Sequence, residues 1–598
     1  MEINYRKNNN KQLFENFNNS DFLNIENSQN YFPLYNNFFN LNNSNYNAIN
    51  LNNKYRVEAI LEKVNYNKFL GTITDICNNK CHKEVFIKYS PLIDPVKYMI
   101  GKYENNYNIL ELPKFIASED LELNNEYTNS YKKILDPNNS AYIDGFFSYL
   151  SSCLLNNFNF YNGLDYYGAF LGVKNNFKYN VTEDLEYLIE SDYFHKHKNT
   201  LFVFEDNEKI FNLFNNTKRN KKHLVLNHDD TTLGVITLDD TALDVITLDE
   251  TTNTLDAFTL DCVDITPDTK CTIITDNLEL TYENLDCLVN NKKISNSNTN
   301  TNTGVNSTNS SETCSSRSSN TELTNSDNGS HDDEESTSSE ESFNNEEIFC
   351  SINKIPVKMI ILEACENTLD DYIVNNKIKD SEWESIVMQI LFTLITYQKT
   401  FDFTHNDLHT NNIVYISTPK IYLYYKFNNI HYKIPTFGKI YKIIDFGRAI
   451  YKFKNNFICS DSYSETGDAT SQYNCEPYLN KAKPIIGPNY SFDLCRLGCS
   501  LFDYFIEDLD DIKKLKSPIK KIMISWVFDD NNKNILYKNN GCERYPDFKL
   551  YKMIARSVHN HTPQKVLQNP LFDNYKIAKK KINNVYEIFN IDDLPCMV

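Results

Sequence analysis

The chain has no long apolar run and no apolar leader. No uninterrupted apolar stretch reaches the roughly 18 residues of a membrane-spanning helix, and Met1–Asn19 is polar, without the apolar core of a secretory signal. We therefore expect a protein that is neither secreted nor bound to a membrane.

A regular cysteine framework is also absent. The 15 cysteines are scattered along the chain. The close pairs Cys77/Cys81 and Cys495/Cys499 have no histidines clustered near them, which argues against zinc. This usage favours a reducing, intracellular compartment over an oxidising one.

Negative charge is unevenly distributed. The formal net charge is −20, and much of the excess lies in Ser295–Glu347, where large apolar side chains are almost missing. Such a segment buries too little surface to offset its ordering entropy, so we expect disorder over about 290–348. Short repeats precede it, V-I-T-L-D-D at Val235–Asp240 and V-I-T-L-D-E at Val245–Glu250. The acidic balance argues against non-specific binding of nucleic acid.

Two short motifs in the second half of the chain carry the chemistry. Thr404–Asn412 reads T-H-N-D-L-H-T-N-N, and Lys442–Ala449 reads K-I-I-D-F-G-R-A. Apolar residues follow Asn412 directly and precede Asp445 directly, so each polar group stands at the end of a predicted buried strand. Polar residues are common in ordinary turns, but two such strand ends indicate a site.

In this order, the two motifs resemble the catalytic loop and the metal-binding loop of protein kinases. The abundance of Asn, Ile, Lys and Tyr adds a resemblance to the serine/threonine kinases of giant, mimivirus-like DNA viruses. The resemblance covers about Tyr55–Tyr575 apart from the acidic insertion. It implies an α+β, two-lobed kinase-like fold, with a small mostly β lobe and a large mostly α lobe. It also implies an intracellular location, in the host cytoplasm or the virion if the protein is viral.

Composition and the resemblance together predict the domain organisation. We expect residues 1–53 to be an Asn-rich, mostly disordered tail, because they show no clean periodicity. We expect 54–366 to be the smaller lobe, with an insertion at about 175–351, 367–575 to be the larger lobe, and 576–598 to be a C-terminal tail with room for one more helix.

The resemblance assigns roles to single residues. Asp407 would be the catalytic base, while Asn412 and Asp445 would hold Mg²⁺. Lys88 ends V-F-I-K, which resembles the strand V-A-I-K, so it would contact the phosphates of ATP. Asp144, the one acid in the predicted helix Ser140–Asn157, is a candidate partner for Lys88.

Other segments fit the same resemblance. Val357–Cys365 resembles the strand and hinge at the adenine, where the backbone groups of Glu363 and Cys365 would bind the purine. Asp493 would bond the backbone of the catalytic loop. Arg556 is a candidate partner of Glu476, and Lys420–Lys442 predicts an added β-hairpin turning near Asn428–Asn429.

Several positions depart from the kinase pattern. The first turn, where the family has a glycine-rich loop, holds Gly71 as its one glycine, and Phe86 replaces the alanine that roofs the adenine. Asn406 stands where many kinases have an arginine that pairs with a phosphate, so we predict activity without activation-segment phosphorylation. His409 replaces the usual lysine.

These observations favour an ATP- and Mg²⁺-dependent serine/threonine protein kinase, with protein substrates and ATP as partners and with no nucleic-acid or membrane partner. The poor glycine loop and Phe86 keep open a pseudokinase that acts as an interaction scaffold. His409 keeps open a small-molecule phosphotransferase.

Overall fold

A computed structural model describes residues 2–104, 106–115, 127–204, 347–546, 548–582 and 587–597. These residues form a mixed α/β structure whose N-terminal region is mostly strand. The predicted repeats at 235–261 lie outside the described ranges. The disorder predicted over about 290–348 also lies outside them as far as residue 346.

The strands and helices alternate irregularly along the chain. The strands are β1 (Tyr5–Lys7), β2 (Ile25–Gln29), β3 (Ile49–Leu51), β4 (Tyr55–Lys63), β5 (Lys68–Asp75), β6 (Lys80–Pro91), β7 (Tyr166–Asn180), β8 (Phe202–Phe204), β9 (Phe349–Glu363), β10 (Asn367–Thr368), β11 (Ile413–Ser417), β12 (Tyr422–Phe427), β13 (Ile430–Pro435), β14 (Lys439–Ile443), β15 (Ile450–Phe453), β16 (Asn456–Cys459), β17 (Lys576–Ile577) and β18 (Ile588–Asn590). The helices are α1 (Lys11–Asn18), α2 (Pro95–Met99), α3 (Asn129–Leu135), α4 (Ser140–Phe158), α5 (Leu185–Glu190), α6 (Asp192–His197), α7 (Leu369–Asn375), α8 (Asp380–Phe401), α9 (Phe492–Phe505), α10 (Pro518–Ser525), α11 (Phe548–Ser557) and α12 (Pro563–Val566).

The N-terminal region is built on one antiparallel sheet. Its strand order is β2-β7-β9-β6-β5-β4, and β8 also pairs with β9. Residues 355–362 of β9 are all buried, because α4 packs on one side of the central strands and the N-terminal segment contributes to the same core. Burial of successive residues fits the nearly continuous apolar sequence of this strand, which Lys358 interrupts.

Asparagines cap helix α4 at both ends. The Asn139 side chain, just before the helix, accepts a hydrogen bond from the N–H of Ala141, and Asn159, just after it, has a left-handed φ of 59°. Both are ordinary cap roles for this residue type. The predicted helix over Ser140–Asn157 is therefore confirmed to within one residue.

The predicted disordered tail over 1–53 differs from the structure. Strand β2 pairs with β7, and Phe17, Leu23 and Phe32 are at most 1% exposed. The ring of Phe17 packs edge-on against Phe170 of the sheet at 5.3 Å between centroids. The abundant asparagines conceal this apolar spacing in the sequence, and their side chains satisfy one another, as in the reciprocal Asn10–Asn50 hydrogen bonds at 2.8 Å.

The edges of the predicted insertion also belong to the sheet. Strand β7 continues to Asn180, past the expected boundary at about 175, and β9 begins at Phe349. Strand β8 pairs with the first part of β9. The insertion is therefore shorter at both ends than the sequence indicated.

The C-terminal region combines helices with small sheets. Helix α8 is buried along most of its length, and β11 lies between β10 and β14. The predicted hairpin is confirmed, since β12 pairs with β13 through a turn at Asn428 and Asn429, both with positive φ. The tail adds short strands β17 and β18 to this hairpin. In its described part, 576–582 and 587–597, the tail has short 3-10 turns at Lys579–Lys581 and Ile591–Asp593 and no α-helix of the kind that the sequence left open. Among the described helices, none is long and apolar enough to cross a membrane.

Candidate functional site

Lys88 is the centre of a buried charge cluster. Its Nζ lies 2.7 Å from Asp144 Oδ2 and 2.8 Å from Asp445 Oδ1, and the Lys88 side chain is 9% exposed. Burial disfavours the charged amine, but the two carboxylates outweigh it and raise the pKa of Lys88 above its usual value. The lysine is therefore held as an ammonium between the two acids.

Asp144 also reaches the D-F-G segment. Its Oδ1 accepts a hydrogen bond from the N–H of Phe446 at 2.9 Å. The ring of Phe446 packs against Phe147 of the same helix, with 4.7 Å between centroids. The contact that the sequence suggested between Asp144 and Lys88 is thus present, and it forms part of a wider connection between α4 and Asp445.

Asn412 and Asp445 lie at the same end of two paired strands. Ile413 of β11 is opposite Ile443 of β14 in an antiparallel pair, and the N–H of Ile444 donates to the Asn412 carbonyl at 3.0 Å. A residue just before one antiparallel strand and a residue just after its partner strand lie at the same end of the pair. Asp445 has a φ of 64°, an uncommon backbone for a residue other than glycine and one that occurs at functional sites.

Asp493 of α9 anchors the loop that carries Asp407. The Asp493 carboxylate accepts hydrogen bonds from the N–H of His405 at 2.9 Å and of Asn406 at 2.8 Å. Burial raises the pKa of Asp493, and both backbone donors oppose this rise. The contact predicted for Asp493 is therefore present.

Asp407 is almost completely enclosed, at 3% exposed. Its Oδ1 accepts a hydrogen bond from the Tyr551 hydroxyl at 2.8 Å. The Nε of Arg496 lies 3.9 Å from Oδ1, and the Nε of Arg448 lies 3.9 Å from Oδ2. Sequence reasoning missed these three residues. Arg448 directly follows D-F-G, but Tyr551 is 144 positions away in the sequence and gave no signal.

Polar side chains hold the segment after D-F-G on this loop. Asn406 Nδ2 donates to the Arg448 carbonyl at 3.0 Å, and the same carbonyl accepts from the Tyr463 hydroxyl at 2.8 Å. Arg448 forms an ion pair with Asp468, and the Tyr473 hydroxyl donates to Asn406. The segment is thus bonded to the loop through its own side chains.

His409 is a neutral neighbour of Asn412. Burial lowers the pKa of His409 to about 4, so the ring is uncharged at neutral pH. Its Nε2 is 3.1 Å from Asn412 Nδ2, which also donates to the Asp407 carbonyl at 2.9 Å. The kinases that the chain resembles carry a charged lysine at this position, whereas the His409 side chain is uncharged.

Asn412 and Asp445 are suited to a magnesium ion by their oxygen donors. Within the described ranges, no group of three or more His, Cys, Asp or Glu side chains could hold a metal. Mg²⁺ commonly takes one or two protein oxygen ligands and completes its shell with water and substrate phosphates. The side-chain oxygens of Asn412 and Asp445, at one end of two paired strands, would fit that pattern.

The predicted hinge lies at the end of β9. Glu363 is opposite Val85 of β6 in the sheet register, and Cys365 follows the strand. Lys442, a buried residue that the sequence did not single out, donates to Glu363 Oε1 at 2.5 Å and to the Gly163 carbonyl at 2.7 Å. The end of β9 is thereby tied to β14, three residues before Asp445.

Two predicted details differ in the structure. The turn between β4 and β5 is closed by the Asn65 side chain, which accepts from the N–H groups of Asn67 and Lys68, and Gly71 lies within β5. The glycine is therefore outside the turn. Arg556 donates to the carbonyl oxygens of Ser471 and Gln472, where the sequence had suggested Glu476.

Comparison with known proteins gives a limited match. No protein-family model matches the chain. Over 140 residues the chain is 33% identical to a probable serine/threonine-protein kinase of Dictyostelium discoideum, and this match covers 21% of the chain and 11% of the relative. Over that stretch the similarity points to a kinase-like superfamily. The resemblance to viral kinases stays a prediction.

Proposed function

We propose that the chain is a protein kinase with a two-lobed kinase-like fold, which transfers the γ-phosphate of ATP to serine or threonine hydroxyls of proteins. The observation that carries this proposal is the contact of Lys88 with both Asp144 and Asp445. This contact joins three distant parts of the sequence at the end of the paired strands β11 and β14, where Asn412 also lies. The partial similarity to a probable serine/threonine kinase supports the same reading.

Each residue has a separate task in this proposal. Lys88 would contact phosphate oxygens of ATP, and Asp445 and Asn412 would hold Mg²⁺, which would neutralise charge on the phosphates. The substrate hydroxyl oxygen bonds to the γ-phosphorus while the bond from this phosphorus to the bridging oxygen breaks and ADP leaves. Asp407 receives the hydroxyl proton.

The adenine site belongs to the same proposal. Backbone groups of Glu363 and Cys365 would bind the purine edge, next to Phe86, which is opposite Leu362 in the sheet. The Lys442–Glu363 ion pair fixes the end of β9 at which those backbone groups lie. A rigid hinge reduces the ordering cost of binding a nucleotide.

An interaction scaffold is the second candidate. The turn between β4 and β5 contains no glycine, and its N–H groups at Asn67 and Lys68 already bond Asn65. Such N–H groups are less available to a phosphate. On this reading the polar cluster around Lys88 stabilises the fold and transfers nothing.

Phosphate transfer from ATP and Mg²⁺ to a mixed protein substrate separates these candidates. Asp407→Asn and Asp445→Asn should each lower the rate by orders of magnitude, since each loses several kcal/mol of barrier reduction. Asp503→Asn is a matched control, because this acid of α9 bonds Tyr537 and has no role in the proposed transfer. A rate that is unaffected by the first two substitutions would favour the scaffold.

A further inference from the structure

Asp407 lies beside Arg496 of α9 and Tyr551 of α11, two side chains that the sequence did not predict at the site. Tyr551 donates to Asp407 Oδ1 at 2.8 Å, and Arg496 Nε donates to the Tyr551 hydroxyl at 2.9 Å. The result is a chain of hydrogen bonds from Arg496 through Tyr551 to Asp407. All three residues are at most 4% exposed.

The position of Tyr551 is fixed by packing. Its neighbours Leu550 and Ile554 on α11 belong to a buried apolar cluster with Phe492 and Cys495 of α9. The rings of Tyr551 and Phe492 lie 6.2 Å apart. A hydroxyl held in this way on two packed helices has little freedom to turn away from the carboxylate.

The direction of the hydrogen bonds is also determined. An arginine side chain only donates hydrogen bonds, so the Tyr551 hydroxyl oxygen accepts one from Arg496. The Tyr551 hydroxyl in turn donates its hydrogen to Asp407. Burial raises the pKa of Tyr551 above its usual value, which keeps that proton in place. A charge-assisted bond of this kind constrains both the plane and the rotamer of the carboxylate.

We propose that Tyr551, supported by Arg496, is a positioning residue that orients the Asp407 carboxylate for its encounter with the substrate hydroxyl. This inference rests on the proposed kinase function. Proton transfer needs the base within about 3 Å of the hydroxyl and correctly aimed, and small misplacements are costly. The guanidinium groups of Arg496 and Arg448, each 3.9 Å from an Asp407 carboxylate oxygen, add positive charge beside the same carboxylate.

The test is a steady-state comparison of wild type with Tyr551→Phe, Asp407→Asn and the double variant. Tyr551→Phe should lower kcat about ten- to a hundredfold while KM for ATP stays within about twofold. Because Tyr551 acts through Asp407, the double variant should be no slower than Asp407→Asn alone. Arg496→Lys, which keeps the charge but removes the guanidinium bond, should give a smaller loss in kcat.

The control is Tyr537→Phe. The Tyr537 hydroxyl donates to a different carboxylate, Asp503 of α9, so this variant removes the same kind of hydrogen bond at another acid. Thermal melting of every variant separates loss of fold from loss of rate.

Several outcomes would overturn the inference. An unchanged kcat would remove the positioning role, and a raised kcat would show that Tyr551 blocks the place of the substrate hydroxyl. Losses that multiply in the double variant would show that Tyr551 acts independently of Asp407. Failure of the kinase proposal is seen separately, as wild-type transfer that is absent or that Asp407→Asn leaves intact, and the inference then falls with it.

Discussion

The Tyr473 hydroxyl donates a hydrogen bond to Asn406 Oδ1 across 2.7 Å. This contact joins the segment after D-F-G to the loop of Asp407 without a phosphate group. Arg448, which is buried, and Asp468 add an ion pair within the same segment.

We predict that phosphorylation of this segment is not needed for transfer. Phosphatase treatment of the purified chain should leave its rate unchanged, and Tyr473→Phe should lower the rate several-fold, because the segment loses a buried hydrogen bond. Tyr187→Phe, at a tyrosine that is 55% exposed, serves as the control. Loss of activity after phosphatase treatment would contradict the prediction.

Removing the charge of Asp144 should weaken the site while leaving the fold in place. Asp144→Asn retains an oxygen that can accept from Phe446, but it replaces the ion pair with Lys88 by a neutral contact. We expect at least a tenfold loss of transfer, since charge-assisted hydrogen bonds are about twice as strong as neutral ones. Steady-state rates measure this.

Asp144→Glu should recover part of that loss, because it restores the charge. Asp510→Asn, an 80% exposed acid, should match wild type. Equal rates for Asp144→Asn and wild type would show that the Lys88–Asp144 pair does not contribute to the reaction.

The first 53 residues should contribute to stability as core residues do. Phe17→Ala removes a fully buried ring and should lower the free energy of unfolding by ~3–5 kcal/mol. Tyr107→Ala, at a side chain that is 79% exposed, should change it by less than about 0.5 kcal/mol. Urea unfolding compares the two. A disordered tail would instead give the same small effect for both.

Lys358 should make stability depend on pH. This lysine of β9 is 4% exposed, lies over the Phe32 ring and donates to the Tyr142 carbonyl, and burial lowers its pKa to about 7. Between pH 7 and about 10.5 the unfolded chain binds a proton that the folded chain does not. The free energy of unfolding contributed by this residue therefore rises with pH, by up to ~1.4 kcal/mol per pH unit.

Lys358→Met isolates this effect. The free energy of unfolding of the variant should exceed that of wild type by the largest amount near pH 7. This difference in the free energy of unfolding should shrink as the pH approaches 10.5. Lys354→Met, on the same strand but with a side chain 40% exposed, should show no such trend. Urea unfolding at several pH values gives both curves, and a pH-independent difference for Lys358→Met would refute the assignment.

The sequence predicted the parts of the site that local patterns determine. Asp445 follows an apolar strand and Asn412 precedes one, so their shared edge could be inferred from the motifs. The Asn428–Asn429 turn could also be inferred, because asparagine tolerates positive φ. Helix α4 was visible from its apolar composition, and Asp144 was its one acid.

The parts that depend on distant packing could not be predicted. Tyr551 reaches Asp407 because α11 packs on α9, and no local pattern reports a contact across 144 positions. Lys442 reads as an ordinary strand residue until its ion pair with Glu363 is seen. In the first 53 residues, apolar side chains were spaced among asparagines without a regular period, so the local composition favoured disorder although the sheet offered a surface to cover.

The N-terminal segment also bears on how the chain can be divided. Phe38 stacks on Phe146 of α4 at 4.9 Å, two residues from Asp144, and the Asn4 N–H donates to the Tyr149 hydroxyl at 2.7 Å. A fragment cut at residue 54 would leave one side of α4 facing water, with the rings of Phe146 and Phe170 exposed. Residue 54 is therefore not a domain boundary, and a minimal folding unit has to retain the segment before it.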